Sequence, residues 1–236
     1  MTASGYLEAT NEWRTAYPGA VAAVLAMNGV SNPPHHPAND EARERLETEL
    51  RTRYGALDRP SLRASHPIDA YDRYYHGFGQ TYHVQHQLES VAIKNKPIPR
   101  RATLVEAMFM AELADQILTA GHDLAAVQLP VRVDIARPGD GLTMFSGATR
   151  EPPLGDMIMR DSAGIISSVV LGPDNRTQIT PATTSALFAV YAPPGIVEDT
   201  VRAHLEAIAR NVRLVSPEAE TLAMTVVTAN GDSGTS

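Results

Sequence analysis

The sequence predicts an α+β fold, helix-rich in its first half and strand-rich in its second. Two observations carry this. Between residues 41 and 120 the apolar positions recur at helical spacing. From Val127 onward they fall in short runs, some alternating at period two, between Gly, Pro and Asp punctuation. Runs of helices followed by runs of strands, rather than strict alternation, place a chain in this class.

Each element has its own local cause. "GAVAAVLAMNGV" (19–30) is a continuous apolar run closed by Asn28-Gly29 and reads as a buried strand. "NPPHHPAND" is a loop, because its prolines remove backbone donors, and Asn39 or Asp40 is placed to cap the next helix. That helix is the mixed-charge "EARERLETELRTRYG", ending at Gly55. Ser65 is placed to cap a helix through "IDAYDRYYHGF", with Pro67 in its first turn. A second helix takes "YHVQHQLESVAI". Thr103 and Glu106 have the spacing of a capping box, opening a helix through "TLVEAMFMAELADQILTAG" that Gly121 would end.

After it, "VQLPVRVDIA", "TMFSGA", "DMIMRD", "GIISSVVLG" and "ALFAVYA" read as strands. "VEDTVRAHLEAIARNVRLV" reads as a last helix with Val201, Leu205, Ile208 and Val212 on one face. No linker separates the halves, so one domain over 1–227 is expected, with 1–62 as an N-terminal extension packed on it. A small polar tail, 228–236, is expected to be disordered.

Composition limits the chemistry. With no cysteine, disulfides, thiolate catalysis and Cys-ligated zinc are excluded. A net charge of −7 argues against charge-driven binding to DNA or membranes. No apolar run reaches the roughly 18 residues a membrane span needs. The first residues have neither a basic nor an apolar signal region, so a cytoplasmic location is the expectation. One local exception to the acidity is "KNKPIPRR", where Lys94, Lys96, Arg100 and Arg101 stand without an acid. It is either a nucleic-acid contact or a solvated loop.

Taken together and in order, "HPIDAYDRYYHGFG", "QLESVAIKNKPIPRRATLVEAMFMAEL", "AGHDL", "GDMIMRD" and "GPDNRTQITPATTSALFAVYAPPG" resemble the B3/B4 domain of the phenylalanyl-tRNA synthetase β subunit in free-standing form. "YPGAVAAVLAMNGVSNP" is similar to the opening strand of that family. The resemblance implies a B3/B4-like sheet-and-helix domain. It also implies an activity: hydrolysis, in trans, of the ester of a mischarged tRNA, with tRNA as partner and no cofactor.

It implies site residues too. His122 matches the synthetase histidine and would bind the ribose or hold the attacking water. Met108 and Phe109 stand where the synthetase has a Thr-Asn pair. Phe188 stands where a glutamate reads the tyrosine hydroxyl, so a smaller or more apolar amino acid is the expected substrate.

The residues also admit plainer roles. His122 at a helix C-terminus would complement the helix dipole, and Asp123 can close its own turn. In "LGPDNRTQIT", the turn at Gly172, Asp174, Arg176 and the Thr177 hydroxyl can meet an oxyanion or phosphate, or serve only a hairpin. Glu112, Glu89 and Asp156 are acids in apolar surroundings, suited to an amino group or to structural hydrogen bonds. His83-x-x-His86 and His35-His36 raise a zinc site, but no third ligand stands out, and no metal is expected. The alternatives to a deacylase are a non-catalytic module binding an amino acid, aminoacyl-nucleotide or tRNA, and a metal-dependent hydrolase of a small ester.

Overall fold

A computed structural model of the chain describes residues 5–230. The fold is mixed α+β and is organised by two sheets. In the first, β1 (Leu7–Ala9), β4 (Val131–Ile135), β7 (Met157–Asp161), β8 (Gly164–Ser168) and β9 (Gly172–Pro173) lie in that order. The second has the order β11 (Glu220–Thr228), β2 (Val21–Asn28), β10 (Ser185–Ala192), β3 (Thr119–Asp123), all antiparallel. β5 (Leu142–Thr143) and β6 (Thr149–Arg150) form a separate hairpin.

β2 and β10 are central strands buried along nearly their whole length, so both read as continuous apolar runs. The N-terminal segment supplies an inner strand of the second sheet. One apolar core, from Tyr6 to Ala229, draws on both halves of the sequence.

The helices are α1 (Asn11–Ala16), α2 (Pro37–Tyr54), α3 (Arg59–Arg63), α4 (Ile68–His76), α5 (His83–Leu88), α6 (Thr103–Asp115) and α7 (Glu198–Arg213). A π-helical turn, Glu89–Ile93, continues α5. α7 is amphipathic, with Val201, Leu205, Ile208 and Val212 buried as expected. α6 is apolar on most sides because it packs against α2, α5, α7 and β3. The tyrosines of α4 bolt it to both sheets. Tyr71 donates to Tyr191 O (2.5 Å), Tyr74 to Asp156 (2.6 Å) and Tyr75 to Val169 O (2.7 Å).

Several local expectations are corrected. α2 is capped by the His36 ring, which accepts from Ala38 N (3.3 Å), not by Asn39 or Asp40. Asn39 is buried and donates to Glu106. Ser65 donates back to Leu62 O instead of capping α4, which Pro67 precedes.

Thr103 is the first residue inside α6, so the capping box does not form. Glu106 still reaches back, accepting from Arg101 N (3.0 Å), and pairs with buried Arg43 (3.1 Å). α6 stops at Asp115, not Gly121. Gln116 takes the left-handed conformation (φ 61°) and is held there by its own bonds to Tyr54 and Tyr82. β11 was not expected. The polar tail assigned from Thr228 overlaps its last residue, Ala229 and Asn230 still bond Ala20 and Gly19, and 231–236 lie outside the described residues.

Candidate functional site

The early stop of α6 turns "TAGHD" into a strand and moves His122 from a helix end into a sheet. His122 pairs in register with Leu187, on the edge strand β3, and is fully buried. Its Nδ1 lies 2.7 Å from Thr177 Oγ1 and its Nε2 lies 3.3 Å from Ser167 Oγ on β8 of the other sheet. Thr177 in turn donates to Asp174, and Ser167 Oγ contacts the Tyr191 hydroxyl. Burial, with Arg176 nearby, pushes the imidazole down to about 3, so it is neutral. Both ring nitrogens are occupied and neither meets solvent. His122 is thus buried between the two sheets, with both ring nitrogens bonded from inside the protein.

The loop after β9 is bound up in the same way. Arg176 grips Asp161 with two parallel bonds (2.9 and 3.0 Å) and donates to Ala126 O. Asp174 also accepts Thr177 N (3.0 Å). Asp123 closes its turn onto Ala125 N and accepts from Thr183. Arg176, Thr177, Asp174 and Asp123 are therefore all bonded within the protein, to the loop and to the strand it crosses. Phe188 is fully buried in β10. Strand alternation sets it on the opposite side from Tyr191.

An open cleft of about 300 Å³ lies at the edge where β3 and β9 come together. Its walls are His83, Met108, Glu112, Tyr191, residues 118–120 and residues 168–173. Three of the sequence-selected residues, Met108, Glu112 and Gly172, meet here. The α4 tyrosines fix its frame, since Tyr71 and Tyr75 bond the backbone of Leu118, Val169 and Tyr191.

Glu112 is the chemical centre of the cleft. One oxygen accepts from Thr119 N (2.7 Å), a contact made possible because the chain reverses at Gln116. The other oxygen makes no hydrogen bond among the described residues. Burial raises the carboxyl to about 8, so it holds its proton at neutral pH. His83 is held below its usual range, first by burial and then by His86, so its ring is neutral too. Among the described residues no lysine or arginine lines the cleft.

Asp156 lies behind the wall, not in it. It is fully buried, accepts from Tyr74 and Ser168, and is raised to about 6 by burial.

Met108 also belongs to a second cleft of about 320 Å³, shared with Phe109, Gln87, Val105, Pro97, Pro99, Lys96 and Arg101. Lys94 and Arg100 lie on the same exposed loop. Arg100 is paired with Asp40 (3.0 Å), so the loop's charge is partly answered.

His83 and His86 serve different places, because His86 bonds Thr81 and approaches Arg59. Glu89 is buried and accepts from Arg59 and Gln85, the structural role. Among the described residues no group of three or more His, Asp or Glu is arranged to hold a metal ion. No helix among them is long and apolar enough to cross a membrane. Sequence reasoning missed Tyr191, Ser167 and Ser168, which carry no motif. It saw His83 only as half of a metal pair.

No family model matches the sequence, and no curated protein matches it. Among solved structures, the chain is similar to an N-terminal fragment of the phenylalanyl-tRNA synthetase β-subunit from Pyrococcus horikoshii. The identity is 9% and the TM-score 0.45, over 94% of this chain and 50% of that one. The likeness is a distant structural one, and the chain spans half of that fragment.

Proposed function

We propose that the chain is a B3/B4-like binding module for the aminoacyl end of a charged tRNA, taking the amino group at Glu112. The observation that carries the proposal is the spare oxygen of Glu112 on a cleft with no cationic side chain. The charge of an arriving ammonium lowers the pKa of Glu112, so that the carboxyl releases its proton to solvent and pairs with the ligand as a carboxylate. A free amino acid would also bring an α-carboxylate, which would lie unpaired there at a high cost. An ester or amide brings none. Met108, Leu118 and Val169 offer an apolar wall to the side chain. The adjoining cleft suits the RNA end, with Phe109 for a base to stack on and Lys96 and Arg101 for phosphate.

Deacylation is the second reading, and one observation favours it. His83, neutral through burial, lines the same cleft and can order a water, while the ribose hydroxyl of the substrate can help to position it. His122 plays no direct part in that mechanism.

Titration of apolar aminoacyl amides (valine, leucine, methionine, phenylalanine) into the wild type and Glu112→Gln tests the first reading. Binding of at least one, weakened by the substitution, supports it. No binding of any amide or of any charged tRNA overturns it. Turnover in a panel of correctly and incorrectly charged tRNAs decides between a module that only binds and an enzyme.

A further inference from the structure

A further open cleft, of about 630 Å³, lies between α3, α4 and the start of α5. Fully buried Leu62 pins α3 beside it, and Arg59 and Arg63, one turn apart on that helix, both line it. Each arginine is held from one side by an acid of another element. Arg59 Nε donates to Glu89 (3.0 Å), and Arg63 donates through Nε and Nη2 to Asp72 (2.8 and 2.7 Å). The acids sit behind. Their side chains are 6% and 13% exposed, against 63% and 48% for the arginines. The Nη1 of each arginine makes no hydrogen bond among the described residues. Arg45 and Arg210 show the ordinary surface case, reaching loosely to an acid of their own helix at 3.8 and 3.9 Å. Arg59 and Arg63 are instead fixed before a ligand arrives, which lowers the ordering cost of binding one.

Two histidines complete the arrangement. Arg63 Nη2 lies against both nitrogens of His76 (3.4 and 3.3 Å), and Arg59 Nη2 is 3.3 Å from His86 Nδ1. His76 is also 3.5 Å from Asp72 and His86 3.8 Å from Glu89, so each ring stands between an arginine and the acid that holds it. Asp69 shares the cleft but is answered by Arg73, and His83, the other titratable group of α5, lines the Glu112 cleft instead. With neutral histidines the charges around the cleft balance. An arriving anion tips each ring toward the imidazolium and adds positive charge where it is needed.

We propose that this cleft binds a phosphate group, gripped by the free Nη1 edges of Arg59 and Arg63 and backed by His76 and His86. Paired guanidinium groups suit the several acceptor oxygens of a phosphate. The rest of the cleft, with Pro60 and Ala64 as an apolar side, has room for the sugar or other group that carries it. The phosphate comes from a small phosphate ester or from an RNA backbone. The proposal does not rest on the Glu112 cleft.

Sulfate is the first probe, because it stays a dianion across the range in which histidine titrates, so a pH effect belongs to the protein. It is titrated into the full chain at constant ionic strength and followed on the arginine Nε–H NMR signals. Saturable shifts of Arg59 and Arg63 are expected, with affinity about threefold or more tighter near pH 6 than near pH 8. Arg63→Gln should weaken binding about tenfold, the weight of a charge-assisted contact. Arg132→Gln removes the same charge far away on β4 and should leave it unchanged. His76→Asn with His86→Asn keeps both arginines. It should bind like the wild type near pH 8, lose the gain near pH 6, and stand in if Arg63→Gln unsettles α3.

A nucleoside 5′-monophosphate and a short oligoribonucleotide without terminal phosphate then separate the sources. Tighter binding of the first assigns a small phosphate ester, and of the second an RNA backbone. Shifts that do not saturate, equal losses in Arg63→Gln and Arg132→Gln, or equal wild-type affinity at the two pH values overturn the proposal. So does sulfate binding that neither phosphate ligand improves, which would mark an adventitious ion only.

Discussion

His122 and Glu112 are both buried titratable groups, ten residues apart in sequence, and they have opposite fates. His122 has every bonding position filled from inside the protein and faces the gap between two sheets. Glu112 has one oxygen filled and one spare, on the rim of an open cleft. Burial perturbs both, one to about 3 and the other to about 8. A shifted titration is therefore no guide to which one meets a ligand. Unfilled bonding capacity beside a cavity separates them, and it is not visible in residue type or spacing.

The largest effect is expected on the sealed side. His122→Ala opens one bonding position on each of the Thr177 and Ser167 hydroxyls and leaves a hole between the sheets, for a loss of about 3 kcal/mol in chemical denaturation. A cost below about 1 kcal/mol would mean that the network does not hold the sheets together. The histidine also has a pH signature. It titrates near 6.5 when unfolded and near 3 in the fold. Across that window the unfolded chain holds the extra proton, so this contribution to stability grows as pH rises from 3 to 6.5 and is lost in acid.

Glu112 should behave in the reverse sense, with a smaller effect on folding and a larger one on binding. Its carboxyl titrates near 4.5 when unfolded and near 8 in the fold. There the folded state holds the extra proton, so stability falls as pH rises from 4.5 to 8. Glu112→Gln keeps the bond to Thr119 N and removes the titration. It should match the wild type near pH 4.5 and exceed it by on the order of 2 kcal/mol at pH 6, with the gap still widening toward pH 8. Aminoacyl amide binding should weaken about 10-fold or more, as a charge-assisted bond is lost. Equal pH profiles for the two proteins would place the carboxyl in water and remove the reason for its choice as receptor.

Much of the architecture was legible because period and punctuation report burial. β2 and β10 read as apolar runs, and α7 reads as an amphipathic helix, because each buries the face its sequence advertises. The errors gather where tertiary bonds override local preference. Gly121 has the residue type for a helix stop, yet Gln116 ends α6, because Tyr54 and Tyr82 hold its side chain and carbonyl. That five-residue shift decides the whole reading of His122. Of the candidate site, Met108, Glu112 and Gly172 were found. Tyr191 and Ser168 were not, because an isolated hydroxyl in a strand carries no periodic or spacing signal. Arg176 drew notice as a substrate cation because its partner Asp161 is fifteen residues away in sequence.

That pair allows a middle-sized test. Arg176→Lys keeps the charge but loses the two-pronged grip on Asp161. The expected cost is about 1 kcal/mol in stability, since the arginine is partly exposed. Amide binding should be unchanged, because Arg176 does not line the cleft. A large loss of binding with stability intact would return Arg176 to the ligand site.

Gly121 gives the finest test because it touches both regions. It neighbours His122 in β3, while a methyl group placed on it would lie 2.8 Å from Ile179 Cδ1 and 3.2 Å from Met108 Sδ. Both are ends of flexible side chains, so they can yield. Gly121→Ala should cost no more than about 1 kcal/mol, part of it offset by the lower entropy of the unfolded chain. The yielding side matters more than the size. If Met108 moves, the wall it shares between the two clefts shifts, and the longest amides should lose about threefold in affinity while the shortest lose none. If Ile179 moves instead, the strain goes into the Thr177 loop, binding stays as it was, and the His122 resonances shift. One methyl group thus reports which neighbour gives way more easily, the sealed network or the open cleft.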